Sequence, residues 1–504
     1  MKRRIAPLTV AATAAAALLL SGCAPEGSAP AHSESAQQQR AFPAIYEQEL
    51  EWRPCGGDEE AAAELEGSLR AAGARIDGMG CATIEVPLDW NDPAGDETIE
   101  LRAVFIPATG EGEPIGTLLS NPGGPGASGI EFTVGMTIDA HSAALQEQYN
   151  FLGFDPRGIG ESSPLGCESE SSILELDLAR CAEEAPLAES MGSAQVARDM
   201  ELMRHLLGED QLHYAGFSYG TVIGATYVTL FPERVGRVML DSAWPSDWSS
   251  PLGGYQQQEA FAWLTADLLE QCGVLYQVDA CPLTSGDALR ERMAALDAAP
   301  LVASDGTEVD GRMINNYLES GLYNLQAGRE RVLDTLARAL AGEQTAVDAL
   351  AEAMADGGAK VGLAGMVVRC LSSPRDPGIM KLYRHIEEHG LPEALGGPEI
   401  TDETLKPWLN LACDALPDSG EDYMMFSNAS EQPVLVFGIT GDHATPYAGA
   451  QQMVDELGNA TLVTVEGRGH IATFNGRSAC ADEIANAYLL RGELPAEGTV
   501  CADD

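Results

Sequence analysis

Ser218 lies between two glycines, each two residues away, in a segment that can turn sharply from one structural element into the next. Residues 212–215 form a short apolar run typical of a strand, and the small and apolar residues at 221–227 favour a helix. A serine on such a turn is strained and exposes its hydroxyl, and a side chain at Gly216 or Gly220 would collide with the adjoining element. A plain turn uses the same residue types, but this strand–turn–helix setting favours a nucleophilic serine.

A serine hydroxyl attacks a carbonyl readily only when a neighbouring base takes its proton. His470 follows 461–465, the last predicted strand, and Gly469 allows the loop to turn the ring toward the serine. His443 is the other late histidine, but it adjoins the candidate acid, so one short segment would have to supply both groups from opposing directions. We therefore predict that His470 is the general base.

The acid that orients such a base follows a strand in folds of this kind, in the chain order serine, acid, histidine. Asp442 lies in the segment that follows the strand predicted at 433–438 and is our candidate. A carboxylate there would hold the imidazole in the required tautomer and stabilise its charged form. The alternative acid is Asp241, at the end of the strand that follows the elbow helix.

Two glycine-rich loops follow other predicted strands. The loop at 121–126 lacks the lysine and hydroxyl residue of a phosphate-binding loop, so nucleotide binding is not indicated. Its bare backbone and its position before the elbow suit an amide that donates to a substrate oxygen, although a tight turn uses the same glycines. In the loop at 153–162 we expect Asp155 and Arg157 to form an ion pair.

The elements around these residues alternate between strand and helix, which indicates an α/β fold with a mostly parallel sheet. Runs at 82–88 and 98–106 favour an antiparallel pair, and an amphipathic helix at 193–207 leads into the elbow strand. From about residue 248 the pattern becomes helical, which predicts a large cap over the site. The predicted divisions are 1–22 for a signal peptide, 23–42 for a flexible tether, 43–247 and 429–504 for the core, and 248–428 for the helical cap.

One metal-like motif lies inside the predicted cap. His385 and His389, with Glu388, match a zinc-binding helix pattern. Charged residues surround the pair and no third ligand is evident, so a solvated face is the better interpretation. We predict neither a metal nor a cofactor.

The net charge of the chain limits the kinds of molecule that it can bind. It carries 29 basic and 77 acidic residues, for a formal net charge of −48. This balance argues against binding nucleic acid and against an electrostatic attraction to anionic lipid. The oligomeric state is not fixed by the sequence.

The first residues indicate export. A basic start, Met1 to Arg4, precedes an apolar stretch at 5–20 that is shorter than a spanning helix. Cys23 follows a serine and a glycine and resembles the lipid-attachment cysteine of a bacterial lipoprotein. The alternative is an ordinary secretory signal in which this cysteine is incidental.

Ten further cysteines support an oxidising compartment. Spacing alone does not fix their pairing, but sequence neighbours close the shortest loops. On that ground we expect Cys55–Cys81, Cys167–Cys181, Cys272–Cys281, Cys370–Cys413 and Cys480–Cys501.

Several of these motifs together resemble a known family, the secreted or lipid-anchored actinobacterial tripeptidyl aminopeptidases, which have the α/β-hydrolase fold and are related to proline iminopeptidases. The resemblance runs from about Cys55 to the C-terminus and is weakest in the cap. Its motifs are Asn-Pro-Gly-Gly-Pro-Gly at 121–126, Gly-Phe-Asp-Pro-Arg-Gly-Ile-Gly-Glu-Ser at 153–162, Gly-Phe-Ser-Tyr-Gly-Thr at 216–221, Gly-Asp-x-x-Thr-Pro at 441–446, Gly-His at 469–470, and the terminal Cys480 and Cys501.

The resemblance implies Ser218, Asp442 and His470 as a catalytic triad, and the amides of Gly124 and Tyr219 as an oxyanion hole. Thr445 matches a family threonine near the triad, whereas His443 stands where the family usually has proline.

The implied function is an exopeptidase of the cell envelope that removes short peptides from free N-termini. A carboxylesterase or an endopeptidase of the same fold is the alternative, and an inert binding lipoprotein is a third hypothesis that the complete triad disfavours.

Overall fold

The apolar runs of the sequence form a β-sheet in a computed structural model, which describes residues 33–167, 173–276, 278, 280–357, 362–374, 378–390, 411–416, 420 and 422–503. The strands of this part of the chain are β1 (Gly80–Pro87), β2 (Thr98–Ile106), β3 (Gly116–Asn121), β4 (Tyr149–Phe154), β5 (Leu212–Phe217), β6 (Val235–Asp241), β7 (Leu301–Val302), β8 (Glu308–Val309), β9 (Val434–Gly441), β10 (Ala460–Arg468) and β11 (Val500–Ala502).

Within the described ranges, nine strands form one sheet in the order β1-β2-β4-β3-β5-β6-β9-β10-β11. β2 pairs antiparallel with both β1 and β4, and the pairings from β4 across to β11 are parallel. This confirms the predicted α/β fold and its antiparallel opening pair. Parallel strands place their carboxyl ends at one edge, so the loops that carry the candidate residues share that edge.

Both faces of the sheet are buried, because successive strand residues enter two different apolar clusters. On β6, Leu240 belongs to one cluster and Met239 to the other, and on β9 the same is true of Val436 and Leu435. Side chains alternate between the faces of a strand, so each central strand contributes to both clusters.

Helices cover these faces. The core helices are α1 (Glu34–Ala41), α2 (Pro43–Tyr46), α3 (Glu59–Ala71), α4 (Gly129–Ile138), α5 (Ala143–Gln148), α6 (Leu174–Glu184), α7 (Ser193–Leu206) and α8 (Gly220–Leu230), with 3-10 turns at Pro186–Glu189 and Pro232–Arg234. The helices after β6 are α9 (Pro251–Glu270), α10 (Gly286–Ala298), α11 (Gly311–Leu322), α12 (Gln326–Leu340), α13 (Gln344–Gly357), α14 (Leu363–Leu371) and α15 (Ile379–His389), with a 3-10 turn at Leu411–Ala415. α16 (Tyr447–Leu457) and α17 (Ala479–Arg491) flank β10 and precede β11. No described helix is long and apolar enough to cross a membrane.

Helices α9 to α13 enclose an apolar cluster of their own. Its buried members include Leu264 of α9, Leu318 of α11, Leu333 of α12 and Leu350 of α13. We call the helices α9 to α15 the cap. The short hairpin of β7 and β8 also lies here, which the helical pattern did not predict. The boundaries proposed at 248 and 428 stay predictions.

The tether predicted at 23–42 is wrong in its last part, because α1 packs on the core. Ser35 Oγ donates to Glu201 Oε1 at 2.6 Å, and Gln38 Nε2 donates to the carbonyl of Arg198 at 2.9 Å. This contact is polar, so apolar periodicity gave no sign of it. Residues 1–32, with the predicted signal and Cys23, lie outside the described residues.

The ion pair expected between Asp155 and Arg157 is also wrong. Arg157 instead binds Asp199 through two hydrogen bonds of 2.7 and 2.8 Å, and both side chains are fully buried. Asp155 accepts hydrogen bonds from the Ser128 hydroxyl at 2.6 Å and the Glu161 amide at 2.9 Å. Asp199 lies on α7, far away in sequence, and local spacing could not identify it.

The five disulfides join the cysteines that are neighbours in sequence, as predicted: Cys55–Cys81, Cys167–Cys181, Cys272–Cys281, Cys370–Cys413 and Cys480–Cys501.

Candidate active site

Ser218 occupies the turn between β5 and α8 with a φ of 55°, in the left-handed region that serine rarely adopts. A Cβ atom at Gly216 would lie 2.5 Å from the Gly220 carbonyl oxygen, and one at Gly220 would lie 2.5 Å from the Asn121 carbonyl oxygen. The strained turn and the need for both glycines therefore agree with the sequence analysis.

His470 and Asp442 lie together after β10 and β9. The Nδ1 atom of His470 is 3.0 Å from each carboxylate oxygen of Asp442. Thr445 donates its hydroxyl to Asp442 at 2.9 Å and lies 3.4 Å from the same Nδ1. Asp442 also accepts the amides of Ala444 and Thr445, each at 2.9 Å. The carboxylate is thus fixed from several sides and can hold the ring with Nδ1 protonated.

The pKa of Asp442 reflects this environment. Burial by itself raises the pKa of a carboxyl group, but the His470 ring and the hydrogen bonds that Asp442 accepts outweigh it and hold the pKa below its usual range. Asp442 is therefore ionised at neutral pH, as a partner of a proton-accepting imidazole must be.

Ser218 and His470 line one cavity of about 1060 Å³. In the described part of the chain, the Ser218 hydroxyl does not form a hydrogen bond with the His470 ring. Such contacts often tighten only when substrate is bound. The structure thus brings the three candidate residues to one site, with the histidine–aspartate pair already formed.

Gly124 lines the same cavity, in the loop that follows β3. Asn121, the last residue of β3, is paired with Gly216 of the elbow strand, so this loop begins beside the serine. In the described part of the chain, neither the Gly124 amide nor the Tyr219 amide donates a hydrogen bond. Both amides can therefore serve as donors to a substrate oxygen.

Asp241, the alternative acid, has a different set of partners. Its buried carboxylate accepts the Ala472 amide at 3.0 Å, and the Thr473 amide and hydroxyl at 2.8 and 2.7 Å. Burial raises its pKa, which these hydrogen bonds oppose. Asp241 therefore fixes the loop after His470, whereas Asp442 contacts the ring itself.

His443, considered as an alternative base, is fully buried between two cap side chains. Its ring stands edge-on to Phe261 at 4.9 Å and to Tyr323 at 4.6 Å, measured between ring centroids. Neither ring nitrogen has a hydrogen-bond partner among the described residues. Burial lowers the pKa of His443 to about 3; Asp442 opposes the shift, and the His470, Arg329 and Arg477 charges add to it. His443 is thus a neutral packing residue at the edge of the cap.

Sequence reasoning missed the cap side chains that line the cavity. Glu319 and Tyr323 face it from α11 and the turn after it, and Gln257 and Phe261 face it from α9. Their helical spacing was visible in the sequence, but the docking of the helices was not.

The His385–His389 pair has no metal-like arrangement. His385 Nε2 bonds to Glu259 at 2.7 Å, and the His389 ring stacks on His385 at 4.4 Å. No group of three or more potential ligands is present in the described ranges.

The fold and the matches to known families define the class of the protein. Residues 116–263 match the family model described as alpha/beta hydrolase fold, and residues 404–501 match the one described as TAP-like protein. The chain therefore has the α/β-hydrolase fold, and its C-terminal part is similar to the TAP-like proteins.

Individual proteins with more specific names are also similar to this chain. The chain is 27% identical to serine protease Hip1 of Mycobacterium tuberculosis over 97% of this chain and 96% of the relative. It is 28% identical to tripeptidyl aminopeptidase of Streptomyces lividans over 88% and 90%, and 29% identical to carboxylesterase B of M. tuberculosis over 84% and 86%. The resemblance to tripeptidyl aminopeptidases is thereby confirmed.

The buried His443 predicts an acid-sensitive stability. Its folded-state pKa of about 3 lies below the ordinary value of 6.5, so unfolding takes up a proton between these values. Stability from this group is complete above about pH 6.5 and is lost as the pH falls toward 3. We expect His443→Phe to reduce the proton uptake on unfolding by about one between pH 6 and 4, measured from urea unfolding across pH.

The exposed His389 on α15 provides the control. His389→Phe should leave the pH dependence unchanged. An equal effect of both substitutions would contradict the assignment of acid sensitivity to His443.

Proposed function

We propose that this protein is an exported serine exopeptidase that removes short peptides, of about three residues, from free N-termini. The observation that carries the proposal is that His470, paired with the buried Asp442, lines one cavity with the strained Ser218. Relatives named serine protease and tripeptidyl aminopeptidase support the peptide substrate.

The reaction would proceed in two halves. Ser218 Oγ attacks the scissile carbonyl while His470 Nε2 takes its proton, and Asp442 stabilises the resulting imidazolium. His470 then gives that proton to the leaving amine as the C–N bond breaks, which releases the rest of the substrate and leaves the N-terminal peptide bound to Ser218 Oγ as an acyl ester. Water attacks this ester with His470 again as base, and the serine hydroxyl is restored.

Each half passes through a tetrahedral intermediate with a negatively charged oxygen. The free amides of Gly124 and Tyr219 are the proposed donors to this oxygen. Tyr219 lies at the start of α8, so the positive end of the helix dipole would add to the stabilisation.

Recognition of a free N-terminus requires an acceptor for an ammonium group, because an unpaired buried cation is costly. Among the described residues that line the cavity, Asp139 and Glu319 are the carboxylates. Glu319 lies on cap helix α11, where Asn315 donates to it at 2.9 Å. Burial raises the pKa of Glu319, and a neighbouring ammonium would lower it again. We assign the substrate ammonium to Glu319.

An esterase is the second candidate, because one relative is named carboxylesterase B. An ester substrate has no ammonium group to pair, so it would not depend on Glu319. Turnover of short acyl esters faster than of any peptide would favour this alternative.

The proposed location is the outer face of a bacterial cell membrane, held by a lipid on Cys23. The signal-like residues 1–22 and the cysteine after them support it, and five disulfides suit an oxidising compartment.

Substitution of Ser218 tests the nucleophile. Ser218→Ala should abolish covalent labelling by a fluorophosphonate probe, and His470→Ala should reduce turnover to a similar degree because the triad acts as a unit. Ser320→Ala is the matched control, since Ser320 lines the same cavity from α11 and should keep full labelling. Labelling that survives Ser218→Ala would show that another residue is the nucleophile.

Acetylation of the substrate tests the exopeptidase assignment. Blocking the N-terminus of a good peptide should lower kcat/KM roughly a hundredfold, about 3 kcal/mol, because Glu319 then faces no charge. In Glu319→Gln the free and blocked peptides should differ by less than about tenfold, whereas Asp139→Asn should keep the full preference. Equal rates on both peptides in the unmodified protein would indicate an endopeptidase.

Cell fractionation tests the anchor. Cys23→Ser should move the protein from the membrane fraction to the soluble fraction and leave turnover of small soluble substrates unchanged. Retention in the membrane with an uncleaved signal would contradict lipid attachment at Cys23.

A further inference from the structure

The loop that carries His470 is strained at several positions. Ile471 and Phe474 have φ values of 68° and 56°, and Gly469 has a φ of 123°. A β-branched residue such as Ile471 is rarely found in the left-handed region, and each such residue costs on the order of 1–3 kcal/mol. The surrounding structure must hold this loop, because the strain would otherwise relax and move the ring.

The core supplies one side of this support. Ser242 Oγ accepts the Ile471 amide at 2.9 Å. Arg477 donates to the Arg468 carbonyl at 2.7 Å and to the Ile471 carbonyl at 2.8 Å. Both residues lie on the core side: Arg477 is close to the loop in sequence, and Ser242 directly follows strand β6.

The cap supplies the other side through Arg329 of α12. Its side chain is 4% exposed, and Nη2 donates to the Arg468 carbonyl at 2.9 Å and to the Leu322 carbonyl at 2.8 Å. The first bond joins the cap to the loop two residues before His470. The second anchors the guanidinium to the end of α11.

A second cap contact reaches the same residue of the loop. Arg468 Nε lies 2.6 Å from the carboxylate of Asp267, which lies on α9. The main chain of Arg468 is therefore held by α12 and its side chain by α9, so two cap helices fix the segment that leads into His470.

Gly469 fits between the two guanidinium groups with no room for a side chain. A Cβ atom there would lie 2.5 Å from Nη2 of Arg329 and 2.7 Å from Nη2 of Arg477. The loop is thus enclosed between a cap arginine and a core arginine at the residue next to the histidine.

The partners of Arg329 indicate why the charge is buried there. In the described part of the chain it has two main-chain carbonyls and the Tyr276 hydroxyl, at 3.4 Å, as acceptors, and no carboxylate. Its Nε atom has no partner among the described residues. Burying a cation without a counter-ion is expensive, so this arginine is poorly explained as a stabilising residue alone. It joins a main-chain segment of the cap to one of the core and thereby fixes their relative position.

We propose that Arg329 is a positioning residue through which the docked cap sets the place of the His470 ring, so that proton transfer in the core depends on the cap. The proposal rests on the proposed role of His470 as general base. It gives the cap a part in the chemistry itself, in addition to any part in substrate selection.

The test compares the full protein with Arg329→Met, Arg329→Lys and Arg331→Met. Arg331 is an exposed arginine on the same helix and is the matched control. Arg329→Met should lower kcat roughly tenfold to a hundredfold on a saturating substrate, with KM changed less than about threefold, because displacing a reacting group by about 1 Å costs this much. Arg329→Lys should recover part of the loss, since an ammonium can still donate to the Arg468 carbonyl. Arg331→Met should match the unmodified protein.

A second readout reports on the ring itself. The proton that His470 shares with Asp442 should give a low-field NMR signal, and Arg329→Met should shift or broaden it, whereas a merely stabilising residue would lower Tm and leave this signal in place. If Arg329→Met does not fold, Asp267→Asn takes its place, because it weakens the other contact between the cap and Arg468.

The outcomes separate the two hypotheses. A folded Arg329→Met protein with unchanged kcat and an unchanged His470 signal overturns the proposal, as does an effect on KM alone. An unmodified protein that neither reacts with the fluorophosphonate nor changes on Ser218→Ala would instead contradict the proposed function.

Discussion

Asp241 connects the two parts of the candidate site that must not move relative to each other. Its main-chain carbonyl accepts the amide of Ser218 at 3.0 Å, and its carboxylate holds the amides of Ala472 and Thr473 just after His470. One residue at the end of β6 thereby fixes the elbow and the histidine loop. A buried carboxylate can do this because several donors compensate the cost of its burial.

The parallel sheet makes that arrangement possible. β6 lies between β5 and β9, with Asp241 paired to Phe217 on one side and to Phe437 on the other. Residues after β5, β9 and β10 therefore meet at one edge, although they are far apart in the chain. The hydrogen bonds of the sheet fix their main chains, and the strained loops then aim the side chains.

These relations explain what the sequence could and could not predict. Ser218, Asp442 and His470 follow apolar runs at the ends of strands, and each stands in a motif whose glycines are required locally. Local constraints of this kind depend only on residues that are close in sequence. The fold class and the candidate triad could therefore be predicted.

Contacts between distant segments could not be predicted in the same way. Asp199 was not identified as the partner of Arg157, because it lies on α7 and nothing near Arg157 indicates it. Arg329 and Glu319 lie on helices whose periodicity predicts a buried face but not the surface on which that face packs. The helix at Glu34–Ala41 was missed because it docks through Ser35 and Gln38, which are polar.

Inside the protein, arginines rather than lysines join separate segments of the main chain. Of the 29 basic residues only four are lysines, and Arg157, Arg329 and Arg477 are all buried. A guanidinium is planar and presents several donors in fixed directions, so one group can bind carbonyls from two segments at once. Arg157 does this for the end of β1 and the segment just before α7, with hydrogen bonds to the Pro87 and Ser190 carbonyls.

A lysine at 329 would hold one carbonyl well and leave the second without a directed partner. Cap and core would then still touch, but the angle between α12 and the histidine loop would no longer be fixed. Because its planar donors can bind two carbonyls at fixed angles, arginine suits the place where the cap meets the segment that carries His470.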